Sequence, residues 1–243
     1  MTAVVDGLRT DAPEIAVGGG FVFIADGWRV KKVSTDGSGL ETVVYGGEEI
    51  SVIASDGTYL YWIQRTGGLY RVPVTGGASL LLSGTPMFSE IGPIRVAGGF
   101  VFWLENGPTI KKVPIAGGMP ILVTFGATLS DFVTDGGHLY LAQLDGAISR
   151  VPATGGAGTT LIQRNYSTGR QLFLSEGYLY WIDEFDVGRI ASNGTDTPVF
   201  FRVILFPVSM PGSLWVDTRN IVWTEPDSDA VKKAVMFSAV VDN

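Results

Sequence analysis

Six oxygen-bearing side chains recur along the chain at nearly even intervals: Asp26, Gln64, Glu105, Gln143, Asp183 and Glu225. Converging groups of this kind build Ca²⁺ sites, because calcium takes about 6–8 oxygen ligands. Two of the six are neutral amides, and each closes an apolar run such as "YLYWIQ" or "FVFWLE". That placement favours bracing the connection that follows. A second acidic set, Glu14, Glu49 and Asp131 with Glu48 beside it, stands at the start of other apolar runs. These acids are the candidate metal set, and they would serve a Ca²⁺-dependent hydrolase or lactonase. A basic residue recurs just as regularly, at Lys32, Arg71, Lys112, Arg150, Arg189 and Lys233. One cation per repeat suits packing over an aromatic neighbour by cation–π or alkyl contact better than a polyanion-binding belt. His138 is the only histidine and there is no cysteine. A Ser-His-Asp triad or a zinc site needs more than that, so His138 reads as a surface residue. The acid-rich "PDSDA" and "DEFD" lack calcium-loop spacing, and "GGAGTT" at 155–160 lacks the lysine of a phosphate loop. No cofactor is expected.

The elements that position these groups are themselves repeated. The runs "FVFI" at 21–24, "YLYW" at 59–62, "FVFW" at 100–103, "HLYL" at 138–141, "YLYW" at 178–181 and "NIVW" at 220–223 share one pattern. Their third residues, Phe23, Tyr61, Phe102, Tyr140, Tyr180 and Val222, are spaced 38, 41, 38, 40 and 42 apart. Each run is preceded by a shorter one and a Gly turn. It is followed by a polar connection, a run such as "LYRVPV" or "IKKVPI", a "TGG" or "AGG" turn, and a fourth run. Aromatic and β-branched runs bounded by glycine read as hairpins, and helical periodicity is absent. Four antiparallel strands per repeat make a propeller blade. The expected fold is therefore all-β, a single six-bladed β-propeller over 1–243. Its blades cover 14–46, 49–84, 93–125, 131–164, 171–206 and 213–236. The last repeat is short of its fourth strand, and residues 2–6 are expected to supply it. That pairing locks the first blade to the last and hides the sheet edges that invite aggregation.

"YWID" at 180–183, "YWIQ" at 61–64, "FWLE" at 102–105 and "VWTE" at 222–225 resemble the YWTD repeat of six-bladed propellers of the lipoprotein-receptor type. The "VPxxGG" turns at 72–77, 113–118 and 151–156 are similar to those of bacterial propeller proteins of unassigned function. Only Thr224 keeps the threonine of YWTD, and the fourth repeat has Leu141 and Gln143 instead of Trp and acid. The resemblance covers nearly the whole chain and implies fold. That fold hosts receptors, scaffolds and enzymes alike, some of the enzymes holding Ca²⁺ in a central tunnel.

Hydrophobic residues make up 46% and charged residues 17%, which excludes a disordered chain. The net charge is −7 with Lys and Arg dispersed, so no nucleic-acid footprint is present. The longest apolar run, "VFFRVILFPVSM", is broken by Arg202 and Pro207 and cannot span a bilayer. "MTAVVDGLRTDAPEI" has no signal-peptide pattern. The expectation is a cytoplasmic protein or a mature extracellular or periplasmic form. The connections on one face carry Trp28, Tyr45, Met87, Phe88, Phe125, Tyr166, Phe185, Phe206 and Met210. Loops are ordinarily polar, so aromatic and Met side chains gathered there read as an interaction patch or as a plug for the tunnel. The expected function is a non-enzymatic binding or scaffold module for a protein or glycan. The calcium hydrolase and a subunit of a repeating assembly are the alternatives.

Overall fold

A computed structural model describes residues 14–65, 67–84, 91–163, 171–182, 187–201, 214–216, 220–225 and 230–235. The chain divides into two compact units, Met1–Gly126 and Ala127–Asn243. Among the described residues there is no helix.

In the first unit, β1 (Ile15–Gly18), β2 (Phe21–Asp26), β3 (Arg29–Ser34) and β4 (Glu41–Tyr45) form one antiparallel sheet in chain order. A second sheet runs β5 (Ile50–Ser55), β6 (Tyr59–Gln64), β7 (Leu69–Pro73) and β8 (Leu80–Ser83). The third runs β9 (Ile91–Ala97), β10 (Phe100–Glu105), β11 (Thr109–Pro114) and β12 (Ile121–Phe125). The second unit repeats the arrangement with β13 (Leu129–Thr134), β14 (His138–Gln143), β15 (Ala147–Pro152) and β16 (Thr159–Gln163). Next come β17 (Gln171–Ser175), β18 (Tyr178–Ile182), β19 (Val187–Ala191) and β20 (Val199–Phe201). A sheet of three described strands follows, β21 (Leu214–Val216), β22 (Asn220–Glu225) and β23 (Ala230–Val235).

Glycine chemistry closes the third-to-fourth-strand turns. In each "VPxxGG" the first Gly N–H donates to the proline carbonyl, Gly76 to Pro73 and Gly117 to Pro114 at 2.8 Å and Gly155 to Pro152 at 2.9 Å. These glycines stand at φ of 94°, 91° and 88°, a region that costs any side-chain-bearing residue.

First strands of neighbouring sheets lie side by side within each unit, β1 beside β5 beside β9, and β13 beside β17 beside β21. This stacking explains why the aromatic runs lack a polar face. Alternate residues of a strand point to opposite faces. Leu60 and Trp62 of β6 pack with Phe23, Ala25 and Val30 of the first sheet. Tyr61 and Ile63, pointing the other way, pack with Val101 and Trp103 of the third. In the second unit Tyr140 and Ala142 of β14 meet Leu179 and Trp181 of β18. A strand sandwiched between two sheets must be apolar at every position. Each fully buried side chain of this size contributes about 1.5–3 kcal/mol.

Candidate functional site

The recurring cations fall where the hairpins put them. Lys32 lies opposite Phe23, Arg71 opposite Tyr61, Lys112 opposite Phe102, Arg150 opposite Tyr140, Arg189 opposite Tyr180 and Lys233 opposite Val222. The cation–π contact goes mainly to the ring at the start of the second strand. Lys32 Nζ is 4.5 Å from the Phe21 centroid, and Arg71 Cζ 4.0 Å from that of Tyr59. Lys112 Nζ is 4.4 Å from Phe100 but 5.8 Å from Phe102, and Arg189 Cζ is 4.8 Å from Tyr178. Two residues along a strand share a face, and the marker ring is already buried against the next sheet. Lys32 also donates from Nζ to the Val74 carbonyl at 3.1 Å, and Arg150 from Nη1 to the Ser192 carbonyl at 3.4 Å. Each acceptor is the residue just past the third strand of the next sheet in the same unit, so these cations stitch sheets together.

The side chains ending the second strands brace them against their neighbours. Asp26 Oδ2 lies 3.1 Å from Lys31 Nζ, and Glu105 Oε2 3.0 Å from Lys111 Nζ. Trp103 Nε1 donates to Glu105 Oε2 at 3.2 Å. Gln143 Nε2 donates to Ser149 Oγ at 2.8 Å, and Gln64 Nε2 donates to the Gly46 carbonyl. Asp183 and the Glu225 side chain lie outside the described residues.

Glu14, Glu49 and Asp131 have three different surroundings. Glu14 is exposed ahead of β1, where partial withdrawal from water pushes its carboxyl above the ordinary range against the opposing pull of Arg95. Asp131 is buried, with Oδ1 accepting from its neighbour Phe132 N at 2.8 Å and Oδ2 from Leu172 N at 2.8 Å. It ties β13 to β17. Glu49 makes an exposed ion pair with Arg65 at 2.9 Å. The register sets Val52, not Glu49, opposite Ile63, as Asp131 stands opposite Ala142, and both strands shift register at the same place, between Ile50 and Val52 and between Leu129 and Asp131. Glu49 instead occupies the position of Thr128, since the Arg65 and Leu144 amides donate to these two carbonyls in the same way. One acid of the expected set is therefore out of register with the other two. Among the described residues no group of three His, Cys, Asp or Glu is arranged to hold a metal ion.

Two turn aspartates escaped the sequence reading. Tyr61 donates to Asp56 Oδ2 at 2.7 Å, and Tyr140 to Asp135 Oδ2 at 3.0 Å. Burial above all, with the carboxylate adding to it, pushes both phenols above their ordinary range, so they remain donors. The signal was in the sequence. An Asp stands five residues ahead of each of these tyrosines, whereas Gly18 and Ala97 hold that place ahead of Phe23 and Phe102. His138 sits at the start of β14 with Nδ1 3.9 Å from Asp135 Oδ2.

Trp28 occupies the turn between β2 and β3 and is 49% exposed. Tyr45 and Phe125 end the fourth strands β4 and β12 instead of lying in loops. Each is held in the ladder, opposite Arg29 and Thr109, yet they are 73% and 71% exposed. All three project at the end of the sheets where second strands turn into third strands. Leu144 is exposed at the same end of its own sheet. Exposure of apolar side chains is not confined there, because Leu40 and Met119 are exposed in connections at the opposite end. What distinguishes the first end is its aromatic rings. Arg29, outside the periodic cation set and missed in the sequence reading, joins them, with Cζ 5.8 Å from the Trp28 centroid and 5.7 Å from that of Tyr45. Met87, Phe88, Tyr166, Phe185, Phe206 and Met210 lie outside the described residues.

No family model and no curated protein matches the sequence. Solved structures do match over most of its length. A chain of the nidogen/laminin complex is 15% identical with a TM-score of 0.66, over 88% of this chain and 89% of that one. The Cps50 (Swd1) β-propeller domain of Myceliophteria thermophila is 8% identical with a TM-score of 0.73, over 94% and 84%. YCF48 bound to D1 peptide is 12% identical with a TM-score of 0.67, over 90% and 75%. Sheets of short antiparallel strands in chain order, stacked through strands that are apolar on both faces, give this chain the fold of a β-propeller.

Proposed function

We propose that the chain is a six-bladed propeller of the YWTD-like class that binds a protein partner without catalysis. It works through the end of the sheets bearing Trp28, Tyr45 and Phe125. Met87, Phe88, Tyr166, Phe185, Phe206 and Met210 extend the same surface, and residues 2–6 complete the last blade beside β23. The observation that carries this reading is the exposure of Tyr45 and Phe125 at 73% and 71% on strands whose backbone is fixed by pairing. Rings held rigid and open to water are suited to interface cores, where aromatic residues are enriched. Two solved structures of similar fold are complexes with protein or peptide, nidogen with laminin and YCF48 with D1 peptide, which supports the same use here.

The test is cross-linking and capture from the native source with the wild type and with Tyr45→Ser combined with Phe125→Ser. Partner recovery falls with the double variant while the melting temperature stays nearly constant, since exposed side chains contribute little to folding. Equal recovery overturns the assignment of the face. Deletion of residues 1–8 lowers the melting temperature if those residues complete the last blade.

A further inference from the structure

We infer that Arg29, set between the rings of Trp28 and Tyr45, is the anchor for a single carboxylate on the protein partner, an Asp or Glu side chain flanked by an apolar residue. This deepens the proposed function and rests on the reading that this end of the sheets binds protein.

The frame is rigid. Arg29 pairs with Asp26 across the turn and with Tyr45 across β3 and β4. The Trp28 carbonyl accepts the Gly46 N–H at 2.7 Å, and the Gly27 carbonyl accepts the Ile50 N–H at 2.8 Å. Turn, strand end and following connection are thus tied together before any ligand arrives, which lowers the ordering cost of binding. The guanidinium touches both rings, and among the described residues it makes no ion pair. Lys31 and Lys32, next along the same strand, are each matched by an acid, Asp26 and Glu41. In Arg29 the buried atom without a partner is Nε alone, so the two Nη ends are left toward solvent. Those ends form the fork that matches a carboxylate in a bidentate way. The exposed parts of the Trp28 and Tyr45 rings then receive the apolar neighbour of that acid.

The arrangement belongs to one sheet. Positions equivalent to Arg29 and Tyr45 hold Leu69 and Ser83, Thr109 and Phe125, Ala147 and Gln163, and Val187 and Phe201 in the other four-stranded sheets. Charge selects the form of the anion. The molecule carries a net −7, and Glu48 is exposed in the connection that follows Tyr45. An acidic run or a phosphate group meets more repulsion here than one carboxylate whose neighbour is apolar.

A phage-displayed library of random linear peptides, panned on the full chain, tests the inference. Recovered peptides are synthesised and titrated calorimetrically against wild type, Arg29→Met, Arg29→Lys and the Trp28→Ala, Tyr45→Ala double variant. The expected peptides carry Asp or Glu beside proline or an aromatic residue. Arg29→Met weakens them by at least about tenfold, the effect of losing a hydrogen bond to a charged group. Arg29→Lys weakens them less, keeping the charge but losing the fork. Changing the peptide acid to its amide weakens binding to wild type by the same factor and leaves binding to Arg29→Met unchanged. The amide swap is made on wild type, so the answer does not depend on how any variant folds. Peptides that need Trp28 and Tyr45 but carry no acid, or that bind Arg29→Met equally well, overturn the carboxylate and leave the face standing. Peptides indifferent to all three residues, or none recovered, overturn both.

Discussion

Substituting Lys32 by Met separates a cation that joins two sheets from one that merely decorates the surface. Lys32 is 5% exposed, and its Nζ donates to the Val74 carbonyl at 3.1 Å, pairs with Glu41 at 2.7 Å and sits over the Phe21 ring. Methionine keeps most of the stem packing, so the change isolates the charged end. Loss of a hydrogen bond to a charged group costs about 1.5–3 kcal/mol, and a partly desolvated cation–π contact adds about 0.5–2 kcal/mol. Glu41 is 58% exposed, so its pairing contributes only about 0–1 kcal/mol. Against these stands the relief of no longer burying an ammonium group, which amounts to several kcal/mol before its contacts are counted. Because the Val74 carbonyl is left without its donor at the seam, the net expectation is a loss of about 2–3 kcal/mol. At about 2–4 °C per kcal/mol for a chain of this size, the melting temperature falls by roughly 4–12 °C. The control is Arg65→Met. Its ion pair with Glu49 has similar geometry at 2.9 Å, but its side chains are 73% and 58% exposed, and the expected loss is below about 1 kcal/mol. Thermal melts of both variants followed by circular dichroism decide the matter. Equal shifts would refute the claim that the Val74 contact, and not ion pairing as such, gives Lys32 its weight.

Asp131→Ala removes a buried acceptor of two amides and leaves Leu172 N–H without its partner across β13 and β17. Urea denaturation should show a loss of about 3 kcal/mol, and a loss below about 1 kcal/mol would contradict the bridging role. Gly188→Ala places a Cβ 2.1 Å from Trp181 Cζ2 and 2.4 Å from Cε2, in a ring that is fully buried. Overpacking of this kind costs about 1–3 kcal/mol or more, to be read as a lower urea midpoint with altered near-ultraviolet dichroism of the tryptophans. Burial pushes the Asp135 carboxyl up, but the amides of His138 and Gly137 and the Tyr140 hydroxyl outweigh it and hold the group below the ordinary aspartate range. A carboxyl depressed on folding stabilises above its unfolded pKa and loses that contribution as pH falls through the folded one. The stability gap between wild type and Asp135→Asn should therefore be full near neutrality and shrink below about pH 4. A gap that widens on acidification would reverse the sign of the argument.

The hairpins were legible in the sequence because they rest on neighbours in the chain. Phe21 to Ile24 and their five counterparts alternate toward two faces, and only a strand covered on both sides tolerates that composition. Glycine after each "VPxx" marks a turn because glycine adopts the left-handed backbone there at little cost and other residues adopt it only with strain. The cross-strand position of every recurring cation follows from counting through a short hairpin, and so does the bracing by Asp26 and Glu105. What the tertiary structure decided lies about forty residues away along the chain. Lys32 reaches Val74, Arg150 reaches Ser192 and Asp131 reaches the Leu172 amide, and each partner is fixed by how one sheet stacks on the next. The acids at the strand starts also needed the register: Glu49 stands twelve residues ahead of Tyr61, whereas Glu14 and Asp131 stand nine ahead of Phe23 and Tyr140, and the pairing shows that Val52, not Glu49, takes the place of Asp131. The Trp28, Arg29 and Tyr45 cluster forms within one sheet. Arg29 and Tyr45 are distant in sequence and become neighbours only when β3 and β4 pair, and the ladder that fixes their backbone is what leaves the rings open to water.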